Sequence, residues 1–225
     1  MGAPNPLLHF PFTMRILGGT MSGKSCFVKR LLEERHDLFD HDGPLEVLYC
    51  YGSDQPLFAS MKLQDPTITF HKGLPEETYK KWLPHGGIVV FDDLMSEVVN
   101  DPKTTHLFTK GAHHDDLSPI SLEQNMYPQG RGGRTQRLNT QYVVLFKNPS
   151  DSLGPKTWAH QAFASHQDRC DQFFQAFERA CRPQYGYLFC DMHPATKDEF
   201  RFRTHLLASD PSPRHIFYML PNEDD

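Results

Sequence analysis

Eight consecutive residues, Gly18-Gly19-Thr20-Met21-Ser22-Gly23-Lys24-Ser25, carry the strongest chemical signal in the chain. They spell G-x-x-x-x-G-K-S, and each fixed position has a physical reason. Glycines let the backbone turn so that successive amide N–H groups converge on one concavity, which suits the oxygens of a phosphate chain. Lys24 adds a point charge for the β- and γ-phosphates, and the Ser25 hydroxyl is placed to ligate Mg²⁺. With Cys26, the residues from Gly18 onward form the expected cradle for ATP.

A second signal is the acid pair Asp92-Asp93, which closes the apolar run GIVVF. A carboxylate at the C-terminal end of a parallel strand faces the crevice where α/β sheets bind ligands, so Asp92 is expected beside the metal. Asp93 is expected to polarise an attacking water, although it can equally cap a helix beginning near Leu94. A third signal is Gln124-Asn125, just past the strand PISLE. Gln124 there can touch a γ-phosphate or a water, or simply be one of the polar residues with which strands end.

These groups need elements to hold them. Strands are expected at Met14–Gly18, Leu45–Tyr51, Thr67–His71, Gly87–Asp92, Pro119–Leu122 and Tyr142–Phe146, and late ones at 187–190, 200–207 and 215–220. The continuous apolar strands GIVVFD and YVVLF indicate burial on both faces of a mainly parallel sheet. Helices are expected at Lys24–Glu34, Pro75–Trp82, Met95–Asn100, Thr104–His113, Pro155–His166 and Asp168–Cys181. The fold class is therefore α/β, a sheet flanked by helices, in one domain. Its core spans about 10–165, and 166–225 adds helix, strands and an acidic tail.

Between two strands, Pro128–Arg137 (PQGRGGRTQR) changes composition, with three Gly, three Arg and no apolar residue. It is expected to be an exposed, mobile basic loop. The pair His113-His114 is expected at the surface, because adjacent helical side chains diverge by about 100° and do not share a metal easily. Phe163, Phe173, Phe174 and Phe177 read as helix packing. The five cysteines are widely spaced and mostly among apolar neighbours, as reduced core residues are.

With 38% hydrophobic and 23% charged residues, 17 Phe and 8 Tyr, the chain is neither disordered nor of low complexity. No apolar run reaches the ~20 residues of a membrane helix, and no leader or lipid signal is apparent, so an intracellular soluble protein without a membrane partner is expected. A net charge of −5 does not announce nucleic-acid binding, though a local basic loop suffices for phosphate contact.

The stretches FPFTMRILGGTMSGKSCFVKRLL, VVFDDLM, AHHDDLSPISLEQNMY and RLNTQYVVLFKNPSDSLGPKTWAHQAF together resemble the genome-packaging ATPases of the FtsK/HerA superfamily. The nearest look is the poxvirus-like branch, which includes Maverick/Polinton and adintovirus-type elements. The resemblance runs from about Phe10 to Phe163. It implies a RecA-like P-loop NTPase of the additional-strand type, with the strand before Gln124 lying between those that lead to Gly18 and Asp92. It implies ATP and Mg²⁺ as cofactors, a homo-oligomeric ring, double-stranded DNA and capsid components as partners, and work in the host nucleus or at a viral assembly site. Position by position, Lys24 and Ser25 match the nucleotide and Mg²⁺ contacts, Asp92 the metal-associated acid, Asp93 the catalytic acid and Gln124 the sensor. A finger from the neighbouring subunit would be Arg131, Arg134, Arg137 or Lys147. The chain departs from the family at Ser150, where relatives often carry Arg, and at Asp93, where Glu is usual. A small-molecule or nucleoside kinase, and a domesticated protein that only binds nucleotide, are the competing readings.

Overall fold

The computed structural model describes residues 8–163, 167–213 and 215–217. Among the described residues there are eleven strands: β1 (Leu8–His9), β2 (Met14–Leu17), β3 (Phe39–Asp40), β4 (Val47–Tyr51), β5 (Ile68–Lys72), β6 (Gly87–Asp92), β7 (Leu117–Glu123), β8 (Tyr142–Phe146), β9 (Tyr187–Asp191), β10 (Phe202–Thr204) and β11 (His215–Phe217). The short β1 and β3 pair with each other. The other nine form one sheet in the order β5-β4-β6-β7-β2-β8-β9-β10-β11. From β5 to β8 every pairing is parallel, and β9, β10 and β11 close the far side as an antiparallel meander. β7 therefore lies between β2 and β6, as the resemblance implies.

Alternation along the strands builds two core layers. Ile88 and Val90 of β6 face the layer that includes Phe27, Val28, Leu31 and Leu32 of helix α1 (Lys24–Glu33). Val89 and Phe91 face the opposite layer, with Leu94, Val98 and Phe108. Each of these side chains contributes roughly 1.5–3 kcal/mol by leaving water. The helices Leu153–Ala162 and Gln167–Ala180 cover β8 and β9, and Phe163 and Phe173 are buried there with Phe174 and Phe177 packed alongside.

Several boundaries differ from the sequence expectation. The Pro75 start is replaced by one turn at Tyr79–Trp82, because Lys103 Nζ takes the Pro75 and Glu76 carbonyls at 2.7 and 3.0 Å. The helix Pro56–Gln64 was not expected: Phe58 and Met61 are buried, but Leu63 is exposed, so apolar residues do not follow one face. The segment 104–113 is a short helix that widens into a π-turn at Leu107–Gly111. The segment 128–137 is exposed at Gln129, Gly130, Arg131, Arg134 and Thr135, as expected, but it is not all loop, and Gly132, Gly133 and Gln136 are buried. It turns into the helix Gly133–Leu138 and docks through Gly132 N–H to Val99 O (2.7 Å) and Gln136 Nε2 to Val98 O (2.9 Å). Cys26 is exposed while the other four cysteines are buried, and His113 and His114 are exposed. The PNEDD tail and residues 164–166 lie outside the described residues. Among the described residues no helix is long and apolar enough to cross a membrane.

Candidate functional site

Parallel pairing brings the chemistry to one edge of the sheet. Leu17, the last residue of β2, stands in register with Glu123 at the end of β7, and Tyr51 at the end of β4 stands beside Asp92 at the end of β6. The Gly18 N–H donates to Glu123 O (3.1 Å), which fastens the glycine-rich loop to the strand that leads to Gln124. Gly23 adopts φ 101°, a left-handed conformation that glycine accepts without strain, and α1 begins immediately after it. No side chain caps that N-terminus, so its amides remain available to an anion. Gly18 is equally constrained: a Cβ there would sit 2.6 Å from Ser22 Oγ and 2.7 Å from Phe146 Cβ.

The Lys24 ammonium donates to the carbonyls of Gly18 (2.7 Å) and Gly19 (2.8 Å), so it is folded back over its own loop. Burial pulls its pKa below the usual lysine value, against the opposing pull of Asp92 and Asp93. Asp92 Oδ2 accepts from Ser25 Oγ (3.0 Å), Tyr49 OH (2.8 Å) and Gln55 Nε2 (3.2 Å). Burial nevertheless raises the Asp92 pKa, the three hydrogen bonds opposing and the Asp93 charge adding to the rise. Asp93 is exposed, at φ 58°, and accepts from Ser53 Oγ (2.7 Å). It does not cap the following helix, Met95–Asn100, whose cap position is Leu94.

These groups share a cavity of about 800 Å³ lined by Thr20, Met21, Ser22, Gly23, Lys24, Ser25, Cys26, Gln55, Asp92, Asp93 and Gln124, and also by residues 183–187, His205, Asp210 and Pro211. Gln124 is exposed on this wall and also borders a smaller open groove with Asn125, Asn148 and Ser150. Asn125 turns away, its Oδ1 accepting from Tyr127 N–H (2.8 Å). Beneath this turn Arg15 grips Glu123 with both arms, Nε to Oε1 at 2.9 Å and Nη2 to Oε2 at 2.5 Å, and donates to Met126 O (2.9 Å).

None of the four basic finger candidates lines the cavity of its own chain. The Arg137 guanidinium lies 4.8 Å over the Tyr127 ring and donates to Gln161 Oε1 (2.6 Å). Arg131, Arg134 and Lys147 are exposed. Tyr49, Ser53 and Gln55, which support the acid pair, were not singled out by sequence reasoning. The signal was present, since LYCYGSDQ is a strand ending in polar residues beside the strand of Asp92.

The Ser25–Asp92 pair is a hydroxyl against a desolvated carboxylate, an oxygen donor set that suits a hard divalent cation such as Mg²⁺. Without that cation the carboxylate is costly. Because folding raises the Asp92 pKa, the folded chain holds this proton more tightly than the unfolded one, and stability falls as pH climbs from the ordinary carboxylate range through the raised value. Asp92→Asn keeps an acceptor for Tyr49 and Ser25 and removes the charge. At neutral pH in chelator it should melt above the wild type, by about 2–4 °C for each kcal/mol recovered, with the gap closing toward about pH 4. A variant that melts lower at every pH would mean that the three donors outweigh burial.

No protein-family model matches the chain, and no curated protein sequence does. Solved structures do. The genome packaging NTPase B204 of Sulfolobus turreted icosahedral virus 2, in complex with AMP, superposes with a TM-score of 0.51 at 13% identity over 80% of this chain and 92% of that one. Its complex with ATPγS gives 0.51 at 12% identity, over 82% and 94%. The DNA-packaging ATPase B204 of Sulfolobus turreted icosahedral virus gives 0.52 at 11% identity, over 80% and 92%. At such identities the likeness is one of fold: the chain is an α/β protein with the RecA-like, additional-strand fold of the P-loop NTPases.

Proposed function

We propose that the chain hydrolyses ATP to drive double-stranded DNA into capsids, acting as a subunit of a homo-oligomeric ring at a site of virus or virus-like particle assembly. The observation that carries this reading is the convergence of Lys24, Ser25, Asp92, Asp93 and Gln124 on one cavity from three strand ends. The sequence resemblance to packaging ATPases and the shared fold point the same way.

In this reading the amides of Gly18–Cys26 hold the phosphates, and Lys24 leaves its two carbonyls to neutralise the β- and γ-oxygens. Ser25 and Asp92 would hold Mg²⁺, which when bound would offset charge on the phosphates. Asp93, exposed and oriented by Ser53, accepts a proton from the attacking water, the role for which a carboxylate in solvent contact is suited. Gln124 senses the γ-phosphate and relays its loss through the turn anchored by Arg15. Arg131 and Arg134, exposed on the docked basic segment, suit a finger reaching a neighbouring subunit better than Arg137, which Tyr127 and Gln161 already hold. With a net charge of −5, DNA affinity should be weak and fall steeply with salt.

The test is phosphate release with and without duplex DNA at low salt. Stimulation by duplex is expected. Turnover indifferent to DNA, with the phosphate transferred to a nucleoside, would replace the motor by a kinase. In the same assay, mixing Arg134→Ala with Asp93→Ala subunits should recover part of the activity that each lacks, since a missing finger costs about 10³-fold. Recovery with none of the four basic residues would remove the shared site.

A further inference from the structure

Beside the glycine-rich loop the cavity has a second wall, built from residues distant from it in sequence. Tyr185, His205 and Pro211 line it. Tyr185 is 60% exposed, the only aromatic among the exposed large hydrophobic residues described, and it holds a left-handed φ of 60°. An L side chain in that region is strained, and strain of this kind persists where the surroundings impose it. Here they do: the turn is closed by Gly186 N–H to Pro183 O (3.0 Å), and Gly186 has no room for a side chain, since a Cβ would meet Ala180 O at 2.3 Å. The consequence is that the Tyr185 ring rests against Gly23, where a Cβ would come within 3.2 Å of Cδ1.

The wall is also fixed to the helix that begins at the phosphate loop. Arg30 Nη1 of α1 donates to Asp210 Oδ1 (2.7 Å), and Tyr187 OH donates to Asp210 Oδ2 (2.6 Å). Glu34, just past α1, accepts from Ala208 and Ser209 N–H at 2.6 and 2.9 Å. These bonds tie the wall to α1 and to Glu34 just past it. An exposed aromatic face on a cavity wall that also carries a proline offers a planar heterocycle contact area that a phosphate chain does not use.

We propose that Tyr185 is the platform on which the base of the bound nucleotide stacks, and that this wall is the nucleobase end of the site. The proposal rests on the reading of Gly18–Cys26 as the phosphate cradle. Stacking is tolerant of base identity because every base has a π-face, so the platform confers affinity for nucleotides over bare polyphosphate, and little choice among bases.

Calorimetric titration of wild type, Tyr185→Ala and Tyr185→Trp with Mg-ATP and with Mg-tripolyphosphate tests this. Tyr185→Ala should weaken ATP by about 5- to 150-fold and leave tripolyphosphate unchanged. Tyr185→Trp should retain ATP affinity, with indole fluorescence altered by ATP and not by tripolyphosphate. Unchanged ATP binding in Tyr185→Ala, or an equal loss for both ligands, overturns the platform while leaving the cradle standing. Wild-type protein that binds neither ligand overturns the cradle and the platform together.

Discussion

Lys24→Ala is expected to reduce ATP turnover by on the order of 10²–10³-fold, the cost of losing one positioned donor from a transferring phosphoryl group. The fold should survive. Among the described residues Lys24 Nζ donates to the Gly18 and Gly19 carbonyls, both of its own loop, and to no other element. Burial outweighs Asp92 and Asp93 in its effect on this ammonium, so removing it relieves a desolvated charge, and the thermal midpoint should hold or rise. Steady-state phosphate release, with circular dichroism melting as the control, separates the two effects. Undiminished turnover in a folded variant would dismiss Lys24, and with it the assignment of the loop.

Arg15→Ala should have the largest effect on stability. It strands Glu123, whose carboxylate is about as buried as Arg15 itself, in a layer with no water to replace the fork. Removing one partner of such a pair costs roughly 3–5 kcal/mol, or about 6–20 °C in a chain of this size. The pair leaves a cost, since Arg15 Nη1 is buried with no partner among the described residues. The double variant Arg15→Met/Glu123→Leu should therefore regain most of the lost midpoint, as apolar replacements of buried pairs do. Its turnover should stay depressed, because the Arg15 bond to Met126 O, which shapes the turn carrying Gln124, is gone. A single variant that melts within about 1 °C of wild type would show that Glu123 finds another partner.

What the sequence made legible was local. The glycine-rich loop lies between β2 and α1, Asp92 ends β6 and Gln124 follows β7, each a motif of a few adjacent residues whose spacing fixes its element. That β7 inserts between the other two strands was implied by the family resemblance alone. The supports of the site were not legible, because they arrive by topology. Tyr49 reaches Asp92 across 43 positions, and Tyr185 meets Gly23 only because β9 joins β8 on the sheet. The basic segment misled for a related reason. Its glycines and arginines have the composition of a solvated loop, but Gly132 and Gln136 dock on backbone of the helix Met95–Asn100, a partner no local pattern reveals.

The meander β9–β11 has a further consequence for how copies of the chain can meet. β8 is wholly buried and apolar, and without β9 it would be a bare seam of unpaired amides and carbonyls, a template for runaway stacking of copies. Among the described residues the sheet finishes on β11 at one side and at the other on β5, which ends in His71 and Lys72. A margin that ends in a lysine discourages zipping one sheet onto the next. Neighbouring copies are left to approach through loops and helix faces, where contacts can break and reform without tearing backbone ladders.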